Sequence, residues 1–401
     1  MAAATGTIKL PDCRETVAVP AQFRVPDSTQ RTNLLRIAYV IPTLDRSGAE
    51  RQLALLATGL PRDRFEPQVF ALTRGGPYEQ LLADHNVPVT ILNKRFRFDP
   101  FARGRLRKSL QAFDPDIVHS FLFAGNAYTR LVTGKGTKPK VVCSERCVDS
   151  WKSNWQLSVD RWLAPRTTKL LGNSNAVTDF YAQQGIPREL MQVIPNGVAD
   201  EGTATDDERK QLREELGLPA DANIVVYAGR LAKQKRVHDL VWAFQLLRQT
   251  IDNTYLVICG EGPERTRVEQ RIQHFELEKL VQMLGHREDA ARIVRASDVF
   301  WLASDFEGMS NSLTEAMMAG LPCVASRIPP NEELIEHGKH GYTVTVGDSV
   351  AFQQFTLELL KNRDDAAKIG TAARQSMLDR FGVDRMIQAH VDLYSQLAGG
   401  V

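Results

Sequence analysis

Between Asp298 and Arg327 the chain runs DVFWLASDFEGMSNSLTEAMMAGLPCVASR. An apolar strand is expected at Asp298–Ala303, a helix at about Ser312–Ala319, and a second strand at Cys323–Ser326. Gly320-Leu321-Pro322 stops the helix. A strand–helix–strand unit of this length commits the chain to a parallel sheet with helices on its faces. The loop carries Glu307, and Glu315 follows after seven intervening residues. Gly308, Met309, Ser310 and Asn311 lead into the helix start, where free backbone N–H groups form an anion site. A carboxylate beside such a site suits a ligand with phosphate at one end and sugar hydroxyls at the other. Ser312-Leu313-Thr314-Glu315 also fits a capping box, in which Glu315 only satisfies a backbone donor. The residues alone leave both readings open.

The same rhythm fills the chain. Leu35–Ile41 is a nearly continuous apolar run, the pattern of a strand buried on both faces. Strand and helix then alternate to Met191–Ile194, and a second alternating series starts at Ile224–Ala228. The expected fold is α/β, with open, doubly wound parallel sheets. At 401 residues the chain is long for one core, so two domains are expected. Residues 1–32 lack periodicity and are expected to be a loose tail.

Bulk charge favours no partner, since 50 Lys and Arg against 48 Asp and Glu leave +2. Five cysteines, an odd and small number, favour a reducing compartment. Cys143 and Cys147 lack a second pair at ligand spacing, so no metal site is expected. No leader is visible, and no run of about 18 apolar residues exists. The expected location is therefore cytoplasmic. Residues 94–108 hold seven basic residues and one acidic, interleaved with Phe96, Phe98 and Phe101. Such a segment suits an anionic acceptor, peripheral contact with acidic lipid at the inner membrane face, or a plain solvated face. No nucleic-acid-binding motif accompanies it, and nucleic acid is not expected as a partner.

Ligands in doubly wound sheets sit at the carboxyl ends of strands. Several candidates fall there. Gly48 ends the loop after the first strand and opens a helix. Gly229-Arg230 ends the Ile224–Ala228 strand, with Lys235 five residues beyond Arg230. Two cations on one loop suit a diphosphate, Arg as a forked donor and Lys as a compact charge. Gly285-His286-Arg287 follows another strand. His119, in Pro115-Asp116-Ile117-Val118-His119-Ser120, is expected at a strand end, either as a polar contact at the reaction centre or as a histidine satisfied beneath a loop. Ser144-Glu145-Arg146 follows another strand, either facing the same edge or forming a surface pair.

Taken together, the motifs resemble the family-4 retaining glycosyltransferases of the GT-B fold. Glu307 and Glu315 match that family's two glutamates seven residues apart, and Ala316 to Pro322 its helix end. Gly229-Arg230-Leu231 with Lys235 matches its diphosphate clamp, Val193–Val198 its interdomain signature, and Gly260-Glu261-Gly262-Pro263 its turn. The chain departs at Ser47, where the family often has glycine, at Arg236, where glycine usually follows the lysine, and at Phe121 and Ala124, frequently histidine.

The resemblance implies two Rossmann-like domains facing across a cleft. Their expected spans are 33–198 on the acceptor side and 199–383 on the nucleotide-sugar side, with 384–401 a helix crossing back. It implies transfer of a hexosyl group from a nucleotide sugar, UDP- or GDP-linked, to a lipid-linked, polysaccharide or small-molecule acceptor with retention. No cofactor or metal is implied. Arg230, Lys235, Glu307 and His119 are the implied catalytic residues. Gly48, Gly229, Gly308 to Asn311, Glu315 and Gly285 to Arg287 are the implied donor contacts, the last three beside the base. A nucleotide-sugar epimerase and a non-catalytic nucleotide-sugar-binding protein are the alternatives.

Overall fold

A computed structural model describes residues 34–134 and 138–399, and the tail expected over 1–32 lies outside them. The first seven strands are β1 (Leu35–Ile41), β2 (Phe65–Ala71), β3 (Val89–Ile91), β4 (Ile117–Phe121), β5 (Lys140–Glu145), β6 (Lys169–Gly172) and β7 (Met191–Val193). They form one parallel sheet in the order β3-β2-β1-β4-β5-β6-β7. The next six are β8 (Asn223–Ala228), β9 (Thr254–Cys259), β10 (Val281–Gly285), β11 (Val299–Leu302), β12 (Cys323–Ser326) and β13 (Tyr342–Val344). They form a second parallel sheet in the order β10-β9-β8-β11-β12-β13. Each sheet is doubly wound about its first strand, the Rossmann arrangement. From Leu35 onward the chain makes one compact unit that holds both sheets.

Strand alternation accounts for the first core. Ile37, Tyr39 and Ile41 of β1 point into one apolar cluster, Ala38 and Val40 into another. One face is covered by the helix Gly48–Gly59 through Leu53 and Leu56, the other by the helix Pro100–Phe113 through Leu106, Leu110 and Phe113. With both faces buried, a one-residue slip of register would expose neither face and would scramble both. The last helix, Val383–Gly399, follows the second sheet in sequence but packs on the first. Its Met386, Val391, Leu393 and Tyr394 join the cluster of Ile37 and Tyr39, and the Tyr39 and Tyr394 hydroxyls lie 3.2 Å apart. Burying those four side chains contributes roughly 1.5–3 kcal/mol each. Beside the crossing, the Val198 N–H donates to the Phe381 carbonyl over 2.8 Å.

Element ends fall within a few residues of the sequence expectations. Two differences matter for function. His119 is the middle residue of β4, not its end, because the strand continues to Phe121. The helix bearing Glu315 begins at Asn311, so Glu315 sits beyond the first turn and outside capping reach; Ser310 occupies the cap position, without a side-chain capping bond.

Candidate functional site

Strand order reverses at β1/β4 in the first sheet and at β8/β11 in the second, so loops leave to opposite sides there and open a crevice. The loops after β8 and β11 carry most of the candidates. Gly229 follows β8 with φ +156°, and its carbonyl would lie 1.8 Å from a Cβ at Gly260, so the two strand-end loops touch backbone to backbone. Arg230 is exposed, and its guanidinium has no partner among the described residues. Its carbonyl accepts from the Tyr227 hydroxyl at 3.0 Å, which fixes the backbone.

Lys235 closes a 3₁₀ turn, Lys233–Lys235, and its ammonium pairs with Glu307. The Ser304 hydroxyl donates to the same Glu307 oxygen at 2.6 Å. Both charges are mostly buried, at 16% and 9% side-chain exposure. The next residue, Arg236, has φ +49°. A left-handed backbone at that point is why glycine suits the position elsewhere. Arg236 instead ties its guanidinium to Asp239 and, over 3.1 Å, to Asp305. Its extra charge is spent on those acids.

The loop from Glu307 to Asn311 is clamped by the first sheet's edge. The Val148 N–H donates to the Glu307 carbonyl at 3.1 Å, and Cys147 bridges Gly308. A Cβ on Gly308 would come within 2.1 Å of the Arg146 carbonyl, so only glycine fits. Asn196 binds the same loop. Its Nδ2 donates to the Asn311 Oδ1 at 2.8 Å and the Met309 carbonyl at 3.3 Å, and its N–H reaches the Met309 Sδ at 3.2 Å. Arg146 Nη1 in turn donates to the Asn196 Oδ1 at 2.9 Å. Burial lowers the Arg146 guanidinium to about 10, and the cation lies over the Phe121 ring. Ser310 and Ser312 hydroxyls are 3.4 Å apart.

Gly48 opens the facing helix so closely that a Cβ there would lie 2.6 Å from the Asn311 Nδ2. The starts of two helices, Gly48–Gly59 and Asn311–Met318, therefore approach one another. One turn into the first, Arg51 pairs with Glu315. Glu315 is no capping residue. Burial raises its carboxyl above the usual range, and the Arg51 charge pulls the other way. His286 Nε2 lies 2.9 Å from Arg46, which also pairs with Glu288 at 2.6 Å. Gly285 has φ +68°, and Arg287 is held by Asp289 through contacts of 2.7 and 2.9 Å.

The structure thus brings together Lys235, Glu307, Gly308, Met309, Ser310, Asn311, Glu315 and Gly48. Arg230 shares the loop with Lys235, but its side chain touches none of them. His119 is elsewhere. It is fully buried; its Nδ1 lies 2.6 Å from the Tyr394 hydroxyl and its Nε2 2.8 Å from the Ser144 hydroxyl. Burial, with His390 and Arg146 nearby, holds it well below its usual pKa. A neutral ring with both nitrogens engaged and Phe121 stacked at 4.5 Å is a core element of the first sheet, which corrects its expected place at the reaction centre. Glu145 and Arg146 part company rather than pairing: Glu145 points inward to Asn126 and Lys152, Arg146 towards Asn196.

Arg51, Asn196 and Arg146 carry much of this geometry; sequence reasoning gave Arg51 and Asn196 no site role and left Arg146 between the ligand edge and a surface pair. Asn196 lay within the matched Val193–Val198 signature. Arg51 had no local mark beyond its spacing from Gly48.

Comparison with known proteins bears on the family and the fold. The family model for glycosyltransferase family 4 matches residues 46–201, and the model for glycosyl transferases group 1 matches residues 208–376. A UDP-Gal:alpha-D-GlcNAc-diphosphoundecaprenol alpha-1,3-galactosyltransferase of Escherichia coli is 27% identical over 379 residues, 90% of this chain and 96% of that one. An N-acetyl-alpha-D-glucosaminyl L-malate synthase of Bacillus anthracis is 29% identical over 208 residues, which is 52% of this chain and about half, 54%, of that relative. Among solved structures, HepE of Anabaena in complex with UDP superposes with a TM-score of 0.80 at 24% identity, over 90% of this chain and 100% of that one. Sucrose-phosphate synthase of Thermosynechococcus elongatus gives 0.74 at 18% identity, over 92% and 100%. With two family models matched end to end along two Rossmann-like sheets, the chain belongs to the group 1 glycosyltransferases of the GT-B fold.

Proposed function

We propose that the protein transfers a hexosyl group from a UDP-sugar to a lipid-linked glycan precursor, with retention of anomeric configuration. The observation that carries this reading is the Lys235–Glu307 pair, set beside the backbone of Gly308 to Asn311 at the β11 end. In this reading residues 33–198 serve the acceptor, 199–383 hold the donor, and 384–401 return to the first sheet. The family placement supports a glycosyltransferase. The uridine choice is supported by HepE, seen with UDP and with UDP-glucose, and by the UDP-Gal named for the E. coli relative. That relative's diphosphoundecaprenol substrate supports a lipid-linked acceptor.

Cleaving the bond between the anomeric carbon and the diphosphate moves an electron pair onto the leaving oxygen. Lys235 and the unpaired Arg230 neutralise that charge, assisted by N–H groups at the starts of the two facing helices. Both cations sit on one short loop, and Glu307 already holds the Lys235 ammonium in place. Lys235 must then share itself between Glu307 and the diphosphate. Glu307 holds a sugar hydroxyl and favours cationic character at the anomeric carbon. Glu315 accepts the ribose hydroxyls, exchanging its present partner Arg51 for them. The leaving phosphate takes the acceptor proton, so no side-chain base is assigned, and His119 has no chemical role. Lysine and arginine occupy the place a metal would otherwise fill. His286 and Arg287 border the base.

Thermal-shift measurements with UDP-, GDP-, ADP- and dTDP-sugars test the donor. A selective shift with UDP-sugars is expected, and its absence defeats the reading. Incubation with donor alone separates the alternatives: an isomerised sugar means an epimerase. Tight donor binding with neither transfer nor hydrolysis, across lipid-diphosphate acceptors, means a binding protein.

A further inference from the structure

Arg146 carries a charge that no acid of the described residues answers. It follows Glu145, the last residue of β5, and is half-buried. No carboxylate pairs with it among the described residues. Glu145, its neighbour in sequence, faces Asn126 and Lys152 instead. The groups around its guanidinium are uncharged. The Phe121 ring lies at 5.1 Å and the Asn196 Oδ1 at 2.9 Å. His119, His390 and Tyr394 are also near, and burial keeps all three neutral. Among the described residues only Nη1 has an acceptor; Nε is buried and donates to no protein group.

Other buried cations of this half and the next are treated differently. Arg130 has Asp160 at 2.6 Å, Lys152 has three acids, and Arg213 has Asp298 at 2.8 Å. A cation drawn out of water costs free energy unless it is paired and hydrogen-bonded. At Arg146 the protein leaves that cost uncompensated. Burial lowers its pKa only to about 10, so the group stays charged at neutral pH. Uncompensated charge of this kind gathers where a ligand completes the set. The fork of a guanidinium matches phosphate and carboxylate oxygens.

The position of the charge says which ligand. The Arg146 carbonyl packs against Gly308 and accepts from the Asn173 Nδ2 at 3.3 Å, which pins the residue under the Glu307–Asn311 loop. Asn196 links the guanidinium to the Asn311 side chain at the helix start. Lys235 reaches the same loop from the second sheet, through Glu307, whereas Arg146 reaches it from the first. In the function proposed above the donor diphosphate already has Lys235, Arg230 and two helix starts. A further anion on the first-sheet side belongs to the acceptor.

We propose that Arg146 selects a negatively charged acceptor, holding its phosphate or carboxylate against the first-sheet side of the donor loop; this rests on the function proposed above.

Calorimetric titration of the full chain, with the donor site saturated by UDP, tests it. The probes are decyl diphosphate-linked N-acetylglucosamine, decyl glucuronide and the neutral decyl N-acetylglucosaminide. Tighter binding of an anionic probe than of the neutral one is expected, and which anionic probe it is tells phosphate from carboxylate. Arg146→Gln is expected to abolish the preference, weakening the anionic probe about 10- to 100-fold, as loss of one charge-assisted hydrogen bond would, with the neutral probe unmoved. Arg146→Met keeps the stem over Phe121 without the charge, and decides if the Gln variant fails to fold. Arg146→Lys keeps the charge without the fork and should restore part of the preference. A preference that survives in the Gln or Met variant overturns the proposal, whatever the melting temperature does, since the residue is then only a prop for Phe121 and Asn196. Equal binding of all three probes, or no anionic probe bound while UDP binds, overturns it too. So does a UDP affinity that falls in these variants while the probe affinities stand, because the charge then serves the donor. UDP binding to the parent chain reports separately on the donor reading. Anionic-probe binding that Arg146→Gln abolishes, in a chain that binds no UDP, keeps the Arg146 site and removes the donor site.

Discussion

Two groups of paired charges, one at the junction of the sheets and one inside the first sheet's side, show how burial changes what an ion pair is for. Inside, Lys152 is 0% exposed and lies 3.4 Å from Glu145 and 3.2 Å from both Asp149 and Asp160, with the Tyr181 hydroxyl also in contact. Arg130 pairs with Asp160 at 2.6 Å, and Asn126 donates to Glu145 at 2.9 Å. Every partner comes from the protein, so the group is complete. At the junction, Lys235–Glu307 and Arg51–Glu315 are simpler pairs on strand-end loops and helix starts, and Arg230 beside them has no partner. The first group has nothing left to offer a ligand. The second, in the function proposed above, exchanges its partners for a diphosphate and a ribose.

Breaking each group separates the two roles. The largest effect is expected from Lys152→Ala, which strands three acids in the interior. A loss of ~3–5 kcal/mol in denaturant-unfolding free energy is expected, with normal turnover from the molecules that remain folded. A stability change below about 1 kcal/mol would mean the cluster is hydrated and the contrast false. Next, Lys235→Ala is expected to cut turnover about 100-fold or more, ~2.7–4 kcal/mol of transition-state stabilisation, with little change in melting. Steady-state rates equal to the parent would remove Lys235 from the chemistry.

Glu315→Gln should weaken nucleotide binding by ~1.5–3 kcal/mol, read by calorimetry, while the fold stays intact. Unfolding instead would show that the Arg51 contact is structural.

The last test concerns pH. Burial pushes the Glu145 carboxyl up to about 7, with Lys152 opposing. The native state therefore holds a proton that the unfolded chain releases near the ordinary glutamate range. Stability should fall on this group's account as pH rises from about 4.5 to about 7, then level off. Glu145→Gln should flatten that slope in unfolding curves taken across the range. An unchanged slope would assign the proton to another group.

Much of this organisation was legible in the chain. Apolar runs such as Leu35–Ile41, divided by helix-length segments, announced parallel sheets because a strand buried on both faces needs continuous hydrophobicity. The Glu307–Glu315 spacing and the Arg230–Lys235 loop stood out because they sit within a few residues of strand ends. His119 was expected at a strand end, as a polar contact or as a satisfied histidine; its strand runs on to Phe121, and His390 and Tyr394 of the final helix pack against the ring, partners that no local pattern records. For Glu315 the sequence left a cap and a ligand contact open, and the helix start at Asn311 removes the cap.

By itself, the sequence determined the alternation of strands and helices, the loops that end them and the residue types those loops carry, because each depends on neighbours within a turn or a strand. Only the tertiary structure decided the partners. Arg51 meets Glu315 and Asn196 clamps Met309 and Asn311 across more than a hundred residues of chain. Trp155 reaches Phe98 from another segment, and the final helix returns to cover the first sheet. Such pairings follow from how two sheets pack, and no periodicity along the chain records which side chains that packing brings within a few ångströms.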